Sequence, residues 1–525
     1  MSAKTRYDVL SSDRSQFLNE AEQASKLTLP YLIRGHEEHY SGMRSLLTPY
    51  QSVGAKGVVT LASKLMLALL PVQTSFFKLQ LDESQLGQEF GPEIRSELDL
   101  SFAKVERIIL ESIAATDDRV AVHQALLHLV VGGNALIYMG PKGLKVYPLN
   151  RFVVDRDGNG NVIEIVTKER VNKKLIEAKL PKDYLMDQTV SDTYGDHDDE
   201  CDVYTHVTRE NNRFVWHQEA YDHVLDGSKG KSGAETNPWI PLRFNTVDGE
   251  NYGRGRVGQF IGDLKSLEGL TQALVEGSAA AAKVVFTVSP SSTTKPATLQ
   301  KAGNGAIISG RPDDIGVIQV GKTADFATAF QMTTVLERRL SEAFLILNVR
   351  NSERTTAEEV RMTQLELEQQ LGGLFSLLTV EFLVPYLNNK LSSLQKAGEI
   401  PKLPKDIVKP TIVAGVNALG RGQDREALGS FLTTLAQTIG PESIATFINT
   451  DEVIKRFAAS QGIDTLNLVR SMQEVQQERA AAMEQQMAMQ QQQMAVDAMK
   501  APVNDPSKNP ELNPALLEQQ QQPPQ

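Results

Sequence analysis

Three long runs of helical periodicity, with one short mixed segment between the first and the second, constrain this chain more than any other feature. Phe260, Leu264, Leu267, Leu270, Leu274 and Val275 fall on one helical face, and the run continues into the small-residue tract Gly277–Ala282. A second run covers Ala327 to about Leu347. A third covers Thr356 to about Leu391, where Leu367, Leu371, Leu374, Leu378 and Phe382 step by three and four. Thr356 and Glu359 form a Ser/Thr-x-x-Glu capping box at its start. Gly372-Gly373 and Pro385 predict bends within it. The segment Val284 to Phe326, with its proline and serine/threonine cluster Pro290–Pro296, interrupts the first two runs, and the polar stretch Asn348–Thr355 separates the last two.

Upstream, the pattern is helical from Asp13 to about Ile137. Val58, Leu61, Ala62, Leu65, Leu69 and Leu70 share a face, as do Val122, Leu126, Leu127, Val130 and Val131. Gly132-Gly133-Asn134 ends the last of these helices, because glycine and asparagine accept the left-handed conformation. Short β-branched or aromatic stretches follow, separated by Gly/Asn/Asp turns: Ala135–Met139, Leu144–Pro148, Phe152–Asp155, Val162–Thr167, Val203–Val207 and Phe214–Trp216. They predict a small antiparallel β region, interrupted by the acidic stretch Asp192–Asp202 as a solvated insertion. Ile407–Ala414, with Pro410 inside it, reads as one edge strand. Arg425–Arg479 is helical again. Gln473–Met499 is Gln/Met/Ala-rich and reads as a long exposed helix that needs neighbours, with a disordered tail after Ala501. The expected fold class is α+β, predominantly α-helical.

Composition narrows the function. The 525 residues carry 54 Lys+Arg against 65 Asp+Glu, a formal charge of −11. A protein that grips nucleic acid over its whole surface carries the opposite excess. One cysteine, Cys201, excludes an intramolecular disulfide and a cysteine-rich metal site, and suits a reducing compartment. The N-terminus MSAKTRYDVLSSDRSQF is charged throughout, with no apolar core of signal-peptide length. The most apolar stretch, Val58–Val72, has Lys64 in its middle and is too short for a span of about 20 residues. A soluble protein made inside the cell is expected.

Three patterns suggest chemistry, and each has a simpler reading. Gly253, Gly255 and Gly258 spell G-x-G-x-x-G, but the preceding residues Asp248–Tyr252 form a turn, whereas a dinucleotide site needs a strand there. Asp155, Asp157, Asn159 and Gly160 mimic a calcium loop, but Val166 stands where the bidentate carboxylate belongs, and a hairpin turn fits better. His36-Glu37-Glu38-His39 is one residue short of the H-E-x-x-H spacing that puts two imidazoles one helical turn apart. No supported catalytic constellation remains, and no cofactor is expected.

The runs Val53–Gly57, Leu61–Leu69, Tyr252-Gly253-Arg254, Gly262–Glu268, Thr356–Arg361 and Gly420–Asp424 resemble, in that order, the portal (head-to-tail connector) proteins of short-tailed bacteriophages. The likeness extends from about residue 15 to about 470 and weakens in Asp192–Asp202 and the Gln-rich tail. It implies a dodecameric ring with a central channel, built from wing, stem, clip, crown and barrel. Residues 1–255 would be the wing, with the strand near 407–414 returning to it. Residues 256–283 and 327–347 would be the stem helices, and 284–326 the clip. Residues 348–355 would be the tunnel loop, 356–396 a long wing helix, 397–423 a wing strand and linker, 424–472 the crown and 473–500 the barrel.

The resemblance also implies a function. The ring would sit at one capsid vertex, nucleate the procapsid and conduct double-stranded DNA. Its partners would be copies of itself, the major capsid and scaffolding proteins, the terminase large subunit, the tail adaptor and internal core proteins, with no membrane. It would assemble in the host cytoplasm and remain in the virion. Transferred residue by residue, the tunnel loop offers Asn348, Arg350, Asn351, Ser352, Glu353, Arg354 and Thr355 to passing DNA. The stem carries Asp263, Lys265, Glu268, Glu337, Arg338 and Arg339; the clip offers Lys295, Lys301, Arg311, Asp313 and Asp314 to terminase or adaptor. Arg350 and Arg354 either touch phosphates transiently or pair between subunits with groups such as Glu353. The alternatives are a dinucleotide-binding enzyme using Gly253–Gly258, and a tail adaptor, which the chain length and the order of elements disfavour.

Overall fold

A serine cap starts the first helix well before Asp13. Ser2 Oγ accepts the backbone N–H of Thr5, and helix α1 runs Ala3–Lys26. Its buried stripe is Tyr7, Leu10, Arg14, Leu18 and Ala21. The charged Arg14 at its centre hides that stripe from an apolar periodicity. Its Nη1 donates to the Tyr7 hydroxyl at 2.7 Å and to the carbonyls of Leu149 and Phe152 at 3.3 and 3.1 Å, while Nε has no hydrogen-bond partner among the described residues. The computed structural model describes residues 2–34, 47–71, 76–81, 92–141, 143–180, 200–281, 285–292, 294–303, 305–311, 313, 315–318, 323–346, 372–401, 408–412, 421–439, 448, 453 and 487–489.

Helices α2 (Val53–Leu69), α3 (Pro92–Ala114) and α4 (Asp118–Gly132) follow, with strand β1 (Phe77–Leu81) between the first two. β1 corrects the uninterrupted helical reading of this region. It pairs antiparallel with β13 (Val408–Ile412), with Leu79 opposite Pro410. A five-residue strand whose partner lies far along the chain leaves little local signal. Gly133, at φ 77, closes α4 as expected, donating to the Leu129 carbonyl at 2.9 Å.

The β region forms two antiparallel sheets. β2 (Asn134–Gly140) lies between β3 (Gly143–Tyr147) and β10 (Trp239–Arg243). The larger sheet runs β4 (Phe152–Arg156), β5 (Val162–Asn172), β6 (Glu200–Glu210), β7 (Arg213–Ala220), β8 (His223–Val224), with β9 (Gly230–Gly233) also paired to β7. β6 begins at Glu200, so the end of the acidic stretch is strand rather than loop. Asp202 lies 3.2 Å from Lys168 and 3.5 Å from Arg170, cross-strand cations that compensate its charge. The preceding residues of that stretch lie outside the described residues. A short helix, α5 (Lys173–Glu177), follows β5 and is capped by the Asn172 side chain.

Helix α6 (Arg256–Gln259) leads into α7 (Ile261–Ala281). Next come β11 (Val285–Val288), α8 (Pro296–Lys301) and β12 (Ile315–Ile318), with β11 and β12 paired antiparallel. Helix α9 (Thr323–Ala343) starts slightly ahead of the predicted second run. From 372 to 378 the chain is helical, passes through a π-helical turn at Thr379–Leu383, and continues as α10 (Val384–Ala397) to a left-handed Gly398. The π turn sits directly ahead of Pro385, whose missing N–H and ring disturb the ladder where a bend was expected. Residues 421–525 form a second unit, in which α11 spans Arg421–Ile439. The predicted barrel and tail lie, apart from helical 487–489, outside the described residues.

One hydrophobic cluster joins α1, α2, α3, α4, β2 and β10 to Leu264 and Leu267 of α7, Leu340 and Phe344 beyond mid-α9, and Phe382 and Tyr386 at the π turn and α10. His128 of α4 is 3% exposed, and burial pushes its imidazole down to about 4. The folded state therefore stays neutral where the unfolded chain, titrating near 6.5, takes up a proton. Stability is fully present above about 6.5 and falls as pH drops toward 4, by on the order of 3 kcal/mol. His128→Leu should flatten that loss. Denaturant midpoints at pH 7 and pH 5 check it, and equal losses in both proteins would refute the assignment.

Candidate functional site

Helices α7 and α9 form an antiparallel pair whose bases are rooted in the core. Towards its far end the pair leaves the core: beyond Leu267 on α7 no described residue is fully buried, and on α9 none precedes Thr333. The inward stripe of α7 includes Leu264, Leu267, Leu274 and Gly277. At Gly277 a Cβ would lie 2.6 Å from the Phe326 ring, so the glycine lets the two helices approach. Near the base, Arg339 Nη1 lies 3.5 Å from Asp263 and ties α9 to α7. Arg338 pairs with Glu342 one turn along at 3.1 Å, and Glu337 is exposed. Lys265 donates to Gln23 Oε1 of α1 at 3.0 Å. Glu268 accepts the backbone N–H groups of Tyr50 and Gln51 at 2.9 and 3.2 Å. The six predicted stem residues thus share one helix pair, and four of them anchor it: Asp263, Arg339, Lys265 and Glu268.

The opposite end carries β11, α8 and β12. A two-stranded ribbon is marginal alone. Here Thr287 Oγ1 donates to the Gly316 carbonyl at 3.2 Å, and Thr294 is buried against Gly310, where a Cβ would come within 1.9 Å of its hydroxyl. Lys295 stands at the N-cap position of α8 without a side-chain cap bond, and Pro296 takes the first helical position. Lys295, Lys301, Arg311 and Asp313 are all exposed around this end, and Ile307 is fully exposed. Asp314 and all seven predicted tunnel-loop residues, Asn348 and Arg350 to Thr355, lie outside the described residues.

At the base of α9 the structure brings together residues that the sequence did not single out for function. Phe344 presses on Gly57 of α2, where a Cβ would sit 2.6 Å from the ring. Arg256 donates to the Ala343 carbonyl from Nε at 3.3 Å and Nη2 at 3.0 Å, and Lys64 Nζ donates to the Leu345 carbonyl. Burial holds both cations below their usual titration ranges. The available signal was Lys64 itself: a lysine in the middle of the most apolar stretch needs a carbonyl or carboxylate partner.

The decoy motifs resolve into structure. A Cβ at Gly253 would lie 2.8 Å from the Gly133 carbonyl, and one at Gly255 would lie 2.5 Å from that of Val131. That space is filled by the last turn of α4 and the residue that closes it, leaving none for a pyrophosphate at these two glycines. Asp157 accepts N–H groups from Asn159 and Asn161 at 2.9 and 2.7 Å, and the Asn161 side-chain amide at 2.9 Å. These bonds, the Asn161 side chain first, hold its carboxyl below the usual range and close the β4–β5 hairpin. His36–His39 lie outside the described residues. Among the described residues no group of three or more His, Cys, Asp or Glu could hold a metal ion, and no helix is long and apolar enough to cross a membrane.

The family described as bacteriophage head to tail connecting protein matches residues 1–469. The chain is 38% identical over 484 residues to the portal protein of Enterobacteria phage T3, covering 90% of this chain and 89% of that one. Against the portal protein of Escherichia phage T7 it is 37% identical over 500 residues, covering 93% and 91%. Against that of Enterobacteria phage SP6 it is 30% identical over 492 residues, covering 92% and 93%.

Proposed function

The chain belongs to the family of bacteriophage head to tail connecting proteins, and from that premise we propose that twelve copies close into a ring around a DNA channel at one capsid vertex. The α7–α9 pair is its stem, the β11–α8–β12 end its clip, and residues 348–355 a loop facing DNA. The ring nucleates the procapsid with the major capsid and scaffolding proteins. It then conducts double-stranded DNA inward while the clip holds the terminase large subunit, and afterwards the clip receives the tail adaptor. Internal core proteins meet the opposite end. Assembly occurs in the host cytoplasm and the ring stays in the virion. The chain itself performs no bond-breaking step; terminase supplies ATP hydrolysis.

The observation that carries this reading is the outer surface of the helix pair. Phe330, Met332 and Val335 on α9 are 66%, 53% and 60% exposed, and Val275 on α7 is 52% exposed. Large apolar side chains this exposed on a projecting hairpin call for a partner surface, and in a ring each stem meets the next copy of itself. Charge supports passage rather than capture. Asp263, Glu268, Glu276, Asp325, Glu337 and Glu342 outnumber Lys265, Arg338 and Arg339 on the two helices. Both stem arginines face carboxylates already. Phosphate contacts repeated in every subunit would add into a brake.

Native mass spectrometry with negative-stain imaging tests the ring: a closed particle with an axial hole is expected, and a protein that stays monomeric or dimeric at high concentration would overturn it. Within the ring, Arg350→Ala with Arg354→Ala should leave assembly intact and alter packaged DNA length or retention. Unchanged length and retention would count against a DNA-contacting loop.

A further inference from the structure

Helix α9 ends in a turn that its own sequence does not favour. Ile346 N–H donates to the Ser341 carbonyl at 2.8 Å and Leu345 N–H to that of Glu342 at 3.1 Å, the pairing of a Schellman turn. Such a turn places one residue in the left-handed region, a position glycine usually takes. Here Leu345 takes it, at φ 56 and 7% exposed. A branched L residue holds that conformation only where its surroundings impose it.

The imposing groups come from outside the helix pair. Phe344 is seated in the notch that Gly57 leaves on α2 and lies 6.0 Å from the Phe260 ring, which Arg256 covers at 5.1 Å. Arg256 takes the Ala343 carbonyl and Lys64 the Leu345 carbonyl. Two cations at a helix C-terminus meet the unpaired carbonyls and the negative end of the helix dipole. Lys64 belongs to α2 and Arg256 to α6, so the last turn of α9 is referenced to the core and not to its hairpin partner.

We propose that Lys64 and Arg256 are positioning residues that set the direction in which the chain leaves the second stem helix, and so the aim of the segment that follows it. Their consequence for DNA rests on the reading of residues 348–355 as a DNA-facing loop; their hold on Leu345 does not.

The test separates the two. In full-length protein carrying Cys201→Ala, a nitroxide on Ile346→Cys should give an immobilised spectrum. Lys64→Met and Arg256→Met should each mobilise it, while Lys64→Arg, which keeps a long cationic donor, should restore it. An unchanged line shape in both Met variants overturns the proposal. If Lys64→Met fails to fold, Lys64→Gln, too short to reach the Leu345 carbonyl, takes its place under the same criterion. Particles built with the Met variants are then compared for loss of packaged DNA beside the Arg350/Arg354 alanine variant. A mobilised label with DNA loss supports both steps. A mobilised label with normal retention supports the positioning and overturns its consequence for DNA, leaving the loop reading to the Arg350/Arg354 variant. DNA loss with an unmoved label overturns the positioning.

Discussion

Gly133→Ala is expected to cost on the order of 4 kcal/mol or more, among the largest single losses available in this fold. Two effects combine. Gly133 has φ 77, a region where a Cβ alone costs roughly 1 kcal/mol. The added Cβ would also lie 2.5 Å from the Gly253 carbonyl oxygen, 2.5 Å from the Gly255 nitrogen and 2.6 Å from the Arg254 carbonyl carbon. All three are backbone atoms, so no rotamer change relieves the contact. Nor can the strand of backbone move away easily. Asn134 holds Gly253 on both sides, its Oδ1 accepting the Gly253 N–H at 2.7 Å and its Nδ2 donating to the Gly253 carbonyl at 2.7 Å. Phe244 N–H donates to the Gly133 carbonyl at 2.9 Å. Gly249 is the matched control: its φ is 78, yet a Cβ there would meet nothing within 4 Å. Gly249→Ala should therefore lose only the conformational share, about 1 kcal/mol. Thermal and denaturant unfolding of the two variants compares them, and equal losses would sink the claim that backbone contact dominates at Gly133.

That junction also shows what a sequence reveals and what it withholds. Gly132-Gly133-Asn134 was legible as a helix end, because left-handed glycine is a local requirement. Its second role, as the floor on which Gly253 and Gly255 rest, involves residues far away in sequence; locally, the turn Asp248–Tyr252 showed only that G-x-G-x-x-G there lacks the strand of a dinucleotide site. The hairpins of the larger sheet were legible for the same reason as the helix end: adjacent strands such as β6 and β7 carry their turn between them. β1 was not, since it pairs with β13 across most of the chain. The helix–module–helix order survives in α7, β11–β12 and α9 because amphipathic periodicity is a property of each run alone. The base of α9 was hidden because Lys64 and Arg256 act through carbonyls, and a carbonyl leaves no mark on the residue type that supplies it.

Lys390→Met should destabilise the protein by about 3–5 kcal/mol, because it strands a buried charge. Asp118 opens α4 with no exposure, and its Oδ2 takes two donors at 2.7 Å, the Tyr386 hydroxyl and the Lys390 ammonium. Its Oδ1 has no hydrogen-bond partner. Removing the ammonium leaves a carboxylate in an apolar setting with one neutral donor. Burial, and then the Asp118 charge, push the Tyr386 phenol well above its usual range, so it stays a donor and cannot share the charge. The double variant Asp118→Asn with Lys390→Met removes both charges and keeps an acceptor for Tyr386. It should recover more than half of the single variant's loss, whereas additive losses would show that Lys390 acts through packing and not charge. The cluster's location gives the result a functional edge. Tyr386 and Lys390 lie on α10, one turn or two beyond Glu381 of the π turn, which itself accepts Arg243 Nε and Nη2 at 2.9 and 2.6 Å. The helix that begins in the third periodic run is thus tied to β10 and to α4 at two charged points on either side of Pro385. Loosening one of them should lower stability without abolishing the proposed ring, which native mass spectrometry of Lys390→Met reads directly.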